Sequence, residues 1–207
     1  STLSPSSAAS DVYKRQTKDS VKMVRIAKKD GVSVSAEVCP HHFAMTEDEI
    51  AGDDANYKMN PPLRSAADVE ALVDGLADGT MEAISTDHAP HGEEEKKQSI
   101  AKAPFGIVGS ETAYALSVTH LVKTGKLTPL QLVEKMSTNP CRILSVPGGT
   151  LSVGAPADIT IADMDSEYVI DKNTFLSKGK NTPFDGAKVN GRVYYTIVGG
   201  NIVYQYE

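Results

Sequence analysis

Apolar positions along the chain follow two periods, and the change from one to the other divides it. From Thr17, Val21, Val24 and Ala27 share one face of a helical repeat, with Lys and Asp opposite and Gly31 as a stop. Val32, Val34, Ala36 and Val38 then alternate with small or polar residues, which predicts a strand. Thr46 with Glu49 forms a capping box for a short helix, and residues 57–59 read as a brief strand halted by Pro61-Pro62. Ser65 with Asp68 opens a helix that turns Val69, Leu72, Val73 and Leu76 inward, and residues 81–85 form the next strand. Further helices are predicted over 111–123, from Thr128-Pro129 and from Asn139-Pro140, where proline takes the first helical position. Alternating helix and strand predicts parallel α/β units. Beyond Pro147-Gly148-Gly149 the period becomes two, with strands over 159–162, 168–170, 193–198 and 202–206 and a Gly199-Gly200 hairpin turn. The expected organisation is an α/β region over 17–146 and a small β-sandwich-like module over 147–207.

Residues 1–16 stand apart. They are rich in Ser and Ala, lack apolar periodicity, and read as a disordered, non-native extension. The 207 residues are 40% apolar and 23% charged, ordinary for a globular protein. A formal net charge of −6 with no basic block disfavours nucleic acid as a partner. No apolar run approaches the ~20 residues that span a bilayer, and no secretory signal pattern is present. Two cysteines, Cys39 and Cys141, lack CxxC spacing, which fits free thiols in a reducing, cytoplasmic setting.

The chemistry concentrates in Ser85-Thr86-Asp87-His88-Ala89-Pro90-His91-Gly92, where a short apolar run stops at a carboxylate flanked by imidazoles. A strand ending in such groups places acid-base and metal chemistry at the rim of a parallel sheet or barrel. The competing reading is an Asx turn with two solvated histidines. His41-His42 reads as part of an extended segment, whose adjacent side chains point to opposite faces and so do not meet one ion. Glu93-Glu94-Glu95-Lys96-Lys97 reads as a solvated loop.

Several motifs in order resemble the dihydroorotases of the amidohydrolase superfamily, over residues 17–207. They are Ala36-Glu37-Val38-Cys39-Pro40-His41-His42-Phe43, Lys58-Met59-Asn60-Pro61-Pro62-Leu63-Arg64, Thr86-Asp87-His88-Ala89-Pro90-His91, Ala103-Pro104-Phe105-Gly106-Ile107-Val108-Gly109 and Ser177-Lys178-Gly179-Lys180-Asn181-Thr182-Pro183-Phe184. The resemblance implies an α/β fold, the C-terminal part of a (β/α)8 TIM barrel. It implies reversible hydrolysis of dihydroorotate to N-carbamoyl-aspartate in pyrimidine biosynthesis, with one or two zinc ions per complete site and a small-molecule substrate. Asp87 is then both a metal ligand and the acid-base that carries a proton from the attacking hydroxide to the leaving amide nitrogen. His91, Asn60, Phe105 and Gly106 are substrate contacts. For Asn60 a strand-end cap, and for Gly106 an ordinary loop glycine, are the alternatives.

The resemblance also shows what is missing. In the family an apolar strand ending in a metal-binding His precedes Thr17-Lys18-Asp19-Ser20; here Lys14 takes that place. No His-x-His pair is present among the five histidines, so of the family's ligand set only Asp87 has a counterpart. A complete barrel takes about 250 residues, so the chain is expected to be inactive alone, to hold zinc poorly, and to aggregate through unpaired strand edges. Alternatives are another cyclic amidohydrolase (dihydropyrimidinase, hydantoinase or allantoinase) and a non-catalytic scaffold or partner subunit; the whole protein as a homodimer is a further expectation.

Overall fold

The computed structural model describes residues 16–206. The reading of residues 1–16 as an extension, with Lys14 in it, therefore lies outside the described residues except at Gln16. That residue is buried, and its Nε2 donates to the carbonyl of Glu37 at 3.2 Å.

Helix α1, Lys18–Lys29, is capped by Thr17, whose side chain accepts from the Ser20 amide, and it ends in Lys28 and Lys29 where the helix dipole favours cations. Its buried Val21 and Val24 pack against a second helix over Ala66–Ala77, capped by Ser65. Gly75 makes that approach possible. A Cβ there would lie 2.9 Å from Met81 Cγ and 3.0 Å from Val21 Cγ1. Arg25 and Lys28 pair with Asp78 and Glu82 along the solvent side.

Strands β1 (Glu37–Val38) and β2 (Ala83–Ile84) pair in parallel, with Glu37 opposite Ala83 and Val38 opposite Ile84. The parallel α/β expectation is met, although the strands are shorter than the alternating pattern suggested. Val38, Leu72, Leu76, Ile84, Val118, Leu121 and Leu132 belong to one buried cluster beneath this sheet. Ser35, Ala36, Ile84, Met136, Ile143 and Leu144 line a mostly apolar groove of about 490 Å³ beside the pair.

Two local readings are corrected. Pro40 does not continue an extended segment; it starts helix α2, Pro40–Ala44, because its fixed φ suits the first helical position. Residues 57–59 form no strand. Asp54 accepts from the Asn56 amide and winds Ala55–Tyr57 into a single tight turn.

Helix α3 (Ala66–Ala77, described above) is followed by α4, Glu93–Lys96. Helix α5, Ala113–Ser117, widens into a π turn over Val118–Val122, and α6, Pro129–Val133, does the same before α7, Asn139–Leu144. The tail is one antiparallel sheet of β3 (Ile159–Val169), β4 (Lys188–Val198) and β5 (Asn201–Gln205), where the sequence suggested two facing layers. Its inner face finds a partner in α5 and the turn after it, not in a second sheet. Val189 shares a buried cluster with Leu116, and a Cβ on Gly191 would meet Val118 at 2.8 Å.

Candidate active site

β1 and β2 end side by side, and two carboxylates follow from that register. Glu37 lies on β1, and Asp87 leaves β2 three residues beyond Ile84. Asp87 has φ 48°, a left-handed conformation that Asp tolerates better than most residues, and its side chain is half-exposed. Burial raises the Glu37 pKa; the Ser85 hydrogen bond opposes this, and the Asp87 charge adds to it. This carboxylate pair was not singled out in the sequence, where Glu37 had only its strand position to recommend it.

The Asx-turn alternative does not form. Among the described residues no backbone N–H donates to the Asp87 carboxylate. The flanking histidines are half-exposed, but each is hydrogen-bonded to backbone. His88 Nδ1 accepts from the amides of Gly109 and Ser110 at 3.1 and 3.2 Å, which places its proton on Nε2. His91 Nε2 donates to the Phe105 carbonyl at 2.9 Å, and its Nδ1 faces Glu95 Oε2 at 3.8 Å.

Beyond Asp87 the rim is a set of loops tied to one another. Ala89 donates its amide to the Ile107 carbonyl at 2.8 Å. Asn181, buried, donates through Nδ2 to the carbonyls of Ala89 and Gly106 and accepts the His91 amide at Oδ1, all within 3.0–3.1 Å. Gly106 has φ 119°, and a Cβ there would sit 2.4 Å from Ala89 Cβ, so the close crossing of these loops requires glycine. Its amide donates to Lys58 and its carbonyl accepts from Lys96 and Asn181, so both its backbone groups are already engaged. The loop crossing gives this glycine a structural reason of its own.

Glu93, Glu94, Glu95 and Lys97 are exposed as read, on a short helix and not a loop, and Lys96 is the exception. It is buried, and its ammonium donates to the carbonyls of Gly106 (2.9 Å), Pro104 (3.1 Å) and Lys58 (3.4 Å). Desolvation lowers its pKa, opposed by Asp54. One side chain thus binds the segment before Asn60 to the segment holding Phe105. Lys58 also lies over the Phe105 ring, 4.6 Å from its centroid. Asn60 is exposed next to a cis peptide to Pro61. No sequence signal separates Lys96 from its charged neighbours, and Asn181 was visible only as part of a motif.

On the β1 side, helix α2 brings Cys39, His41 and His42 together, contrary to the opposite-faces expectation. One donor atom from each lies within 4.8 Å of the others, and the imidazole centroids are 4.2 Å apart. Among the described residues this is the single set of three or more such donors, and it excludes Asp87. Burial holds the His41 pKa well below the ordinary value. Burial likewise lowers His42 to about 4, against its hydrogen bond to the Pro61 carbonyl and the Asp87 charge.

No helix among the described residues is long and apolar enough to cross a membrane. A model described as the amidohydrolase family matches residues 8–203. The chain is 57% identical over 189 residues to a dihydroorotase of Bacillus licheniformis and 54% identical over the same length to one of Bacillus subtilis. Each alignment covers 91% of this chain and 44% of the relative. It also superposes on the solved L-hydantoinase (dihydropyrimidinase) of Arthrobacter aurescens with a TM-score of 0.85 at 32% identity, over 93% of this chain and 44% of that one. The chain spans less than half the length of the relatives it matches. A family match running through both the α/β layer and the tail sheet, together with the amidohydrolase architecture of its structural neighbours, places the chain in the amidohydrolase family.

Proposed function

We propose that this chain is the C-terminal part of a (β/α)8 barrel, residues 17–146, with the tail module over 147–207. The whole protein opens the dihydroorotate ring to N-carbamoyl-aspartate, reversibly, in cytoplasmic pyrimidine biosynthesis, as a homodimer. The observation that carries this reading is the identity to dihydroorotases over nine-tenths of the chain, 57% against 32% for the hydantoinase. Asp87 takes the proton from the attacking water oxygen and delivers it to the amide nitrogen, which leaves poorly unless protonated. His91 and the Asn60 amide face the imide from the loop side, an amide offering both a donor and an acceptor. The Phe105 carbonyl keeps one lone pair beside the His91 bond, and that segment closes the same wall.

The family's zinc centre does not fit the residues present. Asp87 belongs to no donor cluster among the described residues, and three protein ligands are needed to hold the ion with an open position. The test is turnover by the full-length protein, followed by loss of the cyclic imide's ultraviolet absorbance, with dihydroorotate, dihydrouracil, hydantoin and allantoin compared. Dihydroorotate is expected to have the highest kcat/KM. Faster opening of hydantoin or allantoin transfers the assignment to that enzyme class, and absence of turnover on all four favours a scaffold role.

A further inference from the structure

We propose that this chain holds a zinc-class divalent metal ion on Cys39, His41 and His42, at a site separate from Asp87. Three observations converge. The donors come from one turn: Cys39 precedes the helix that Pro40 starts, and His41 and His42 follow within it, all with 2% exposure or less. Their ligating atoms lie within 4.8 Å of one another. Independently, the His41 Nε2 and His42 Nδ1 atoms are buried with no hydrogen-bond partner, and of the seven such side-chain atoms among the described residues these two alone lie in the donor cluster. A buried nitrogen left bare costs about 1–3 kcal/mol, and native folds leave few such atoms.

His42 has the arrangement that metal-bound imidazoles adopt. Its Nε2 bonds the Pro61 carbonyl at 2.9 Å, which fixes the tautomer and leaves Nδ1 as the lone-pair donor. One sulfur and two nitrogens form a set suited to zinc and unsuited to magnesium or calcium. Bonds of about 2.0 Å to nitrogen and 2.3 Å to sulfur place tetrahedral donors roughly 3.5 Å apart, so the cluster closes by on the order of 1 Å through ring and thiol rotation. Binding forms the Sγ–metal bond, breaks Sγ–H, and releases one proton to solvent together with the ion's displaced water.

This inference is independent of the proposed reaction, and its readout is spectroscopic. The full chain is refolded with one equivalent of Co²⁺ as a reporter for zinc, each variant being checked for folding by circular dichroism. A thiolate-to-cobalt charge-transfer band is expected, displaced by zinc, with one proton released per ion. The band should vanish in Cys39→Ser, and affinity should fall at least tenfold in His42→Gln. Asp87→Asn and Cys141→Ser should leave both unchanged. If Cys39→Ser does not fold, alkylation of the unmutated chain in partly denaturing guanidinium decides. Zinc slowing the labelling of Cys39 tenfold while leaving Cys141 unaffected supports the site, and equal labelling overturns it. A missing charge-transfer band, a band that follows Cys141, or binding abolished by Asp87→Asn overturns it as well.

Discussion

The two sides of the rim are built to different degrees of completion. On the loop side, Asn181, Lys96, His88 and His91 spend their donors and acceptors on the segments 58–60, 88–91 and 104–109, so the backbone there is held by the chain's own side chains. On the strand side, Glu37 and Asp87 sit together as two carboxylates, and the imidazoles beside them keep bare nitrogens. The loop side is preorganised within this half of the relatives' length. The strand side holds reactive groups without the donors that would complete them. Binding geometry and chemistry are therefore separable here, and mutations on the two sides should fail differently.

The largest effect belongs to the strand side. In the full-length protein Asp87→Asn removes the proton carrier, and kcat should fall about 10³-fold, some 4 kcal/mol of barrier. KM and melting temperature should stay near the parent values, because the Asp87 carboxylate accepts no hydrogen bond from the described residues. A variant that melts early instead would make Asp87 a structural residue and erase the contrast.

Gly106→Ala should do the opposite. The added methyl would meet Ala89 at 2.4 Å at a φ of 119°, so the loop crossing must open. Strain and overpacking together are expected to cost about 3 kcal/mol, read as an earlier denaturant midpoint in this chain. An unchanged midpoint would mean that the loop wall is not held tightly.

Acid tests the strand side again. His42 has a folded pKa near 4 against an ordinary 6.5, so the unfolded chain binds more protons between those values. The stabilisation is complete above pH 6.5 and is lost as pH falls towards 4, by about 3 kcal/mol for a shift of this size. His41 shifts in the same direction. Glu37 opposes them: its pKa is raised on folding, so its contribution is present at low pH and lost as pH rises through the folded value. Urea midpoints from pH 7 to 4 should therefore fall, less steeply in His42→Gln and more steeply in Glu37→Gln. A flat profile would remove the buried neutral imidazole from the account.

What could be read from the sequence divides along the same line of local against long-range causes. Helices α1 and α3 were legible because caps and period act within a few residues. The parallel pairing followed from helix and strand alternating, and Asp87 from its motif. The turn at Pro40 was missed because Pro ends an extended run and begins a helix equally well, and only the fold decides between them. Lys96 was hidden in a charge run because its partners are three carbonyls, which no sequence pattern displays. The sandwich expectation failed for a related reason: alternation shows that a strand has an inner face, not whether a sheet or a helix covers it.

The smallest predicted effect is the most specific to the loop side. Lys96→Met keeps most of the buried stem and deletes three hydrogen bonds to the carbonyls of Lys58, Pro104 and Gly106. Removing a charged donor from buried carbonyls costs about 2 kcal/mol, moderated here because the Gly106 carbonyl retains Asn181. The loss falls on the contact between the Asn60 segment and the Phe105 segment, so in the full-length protein KM should rise several-fold while kcat changes little. The pH dependence of kcat should not move, since Lys96 makes no hydrogen bond or ion pair with the Asp87 carboxylate among the described residues. A fall in kcat at constant KM would show that the loops reach into the chemistry of the strand ends, and the two sides would then have to be treated as one unit.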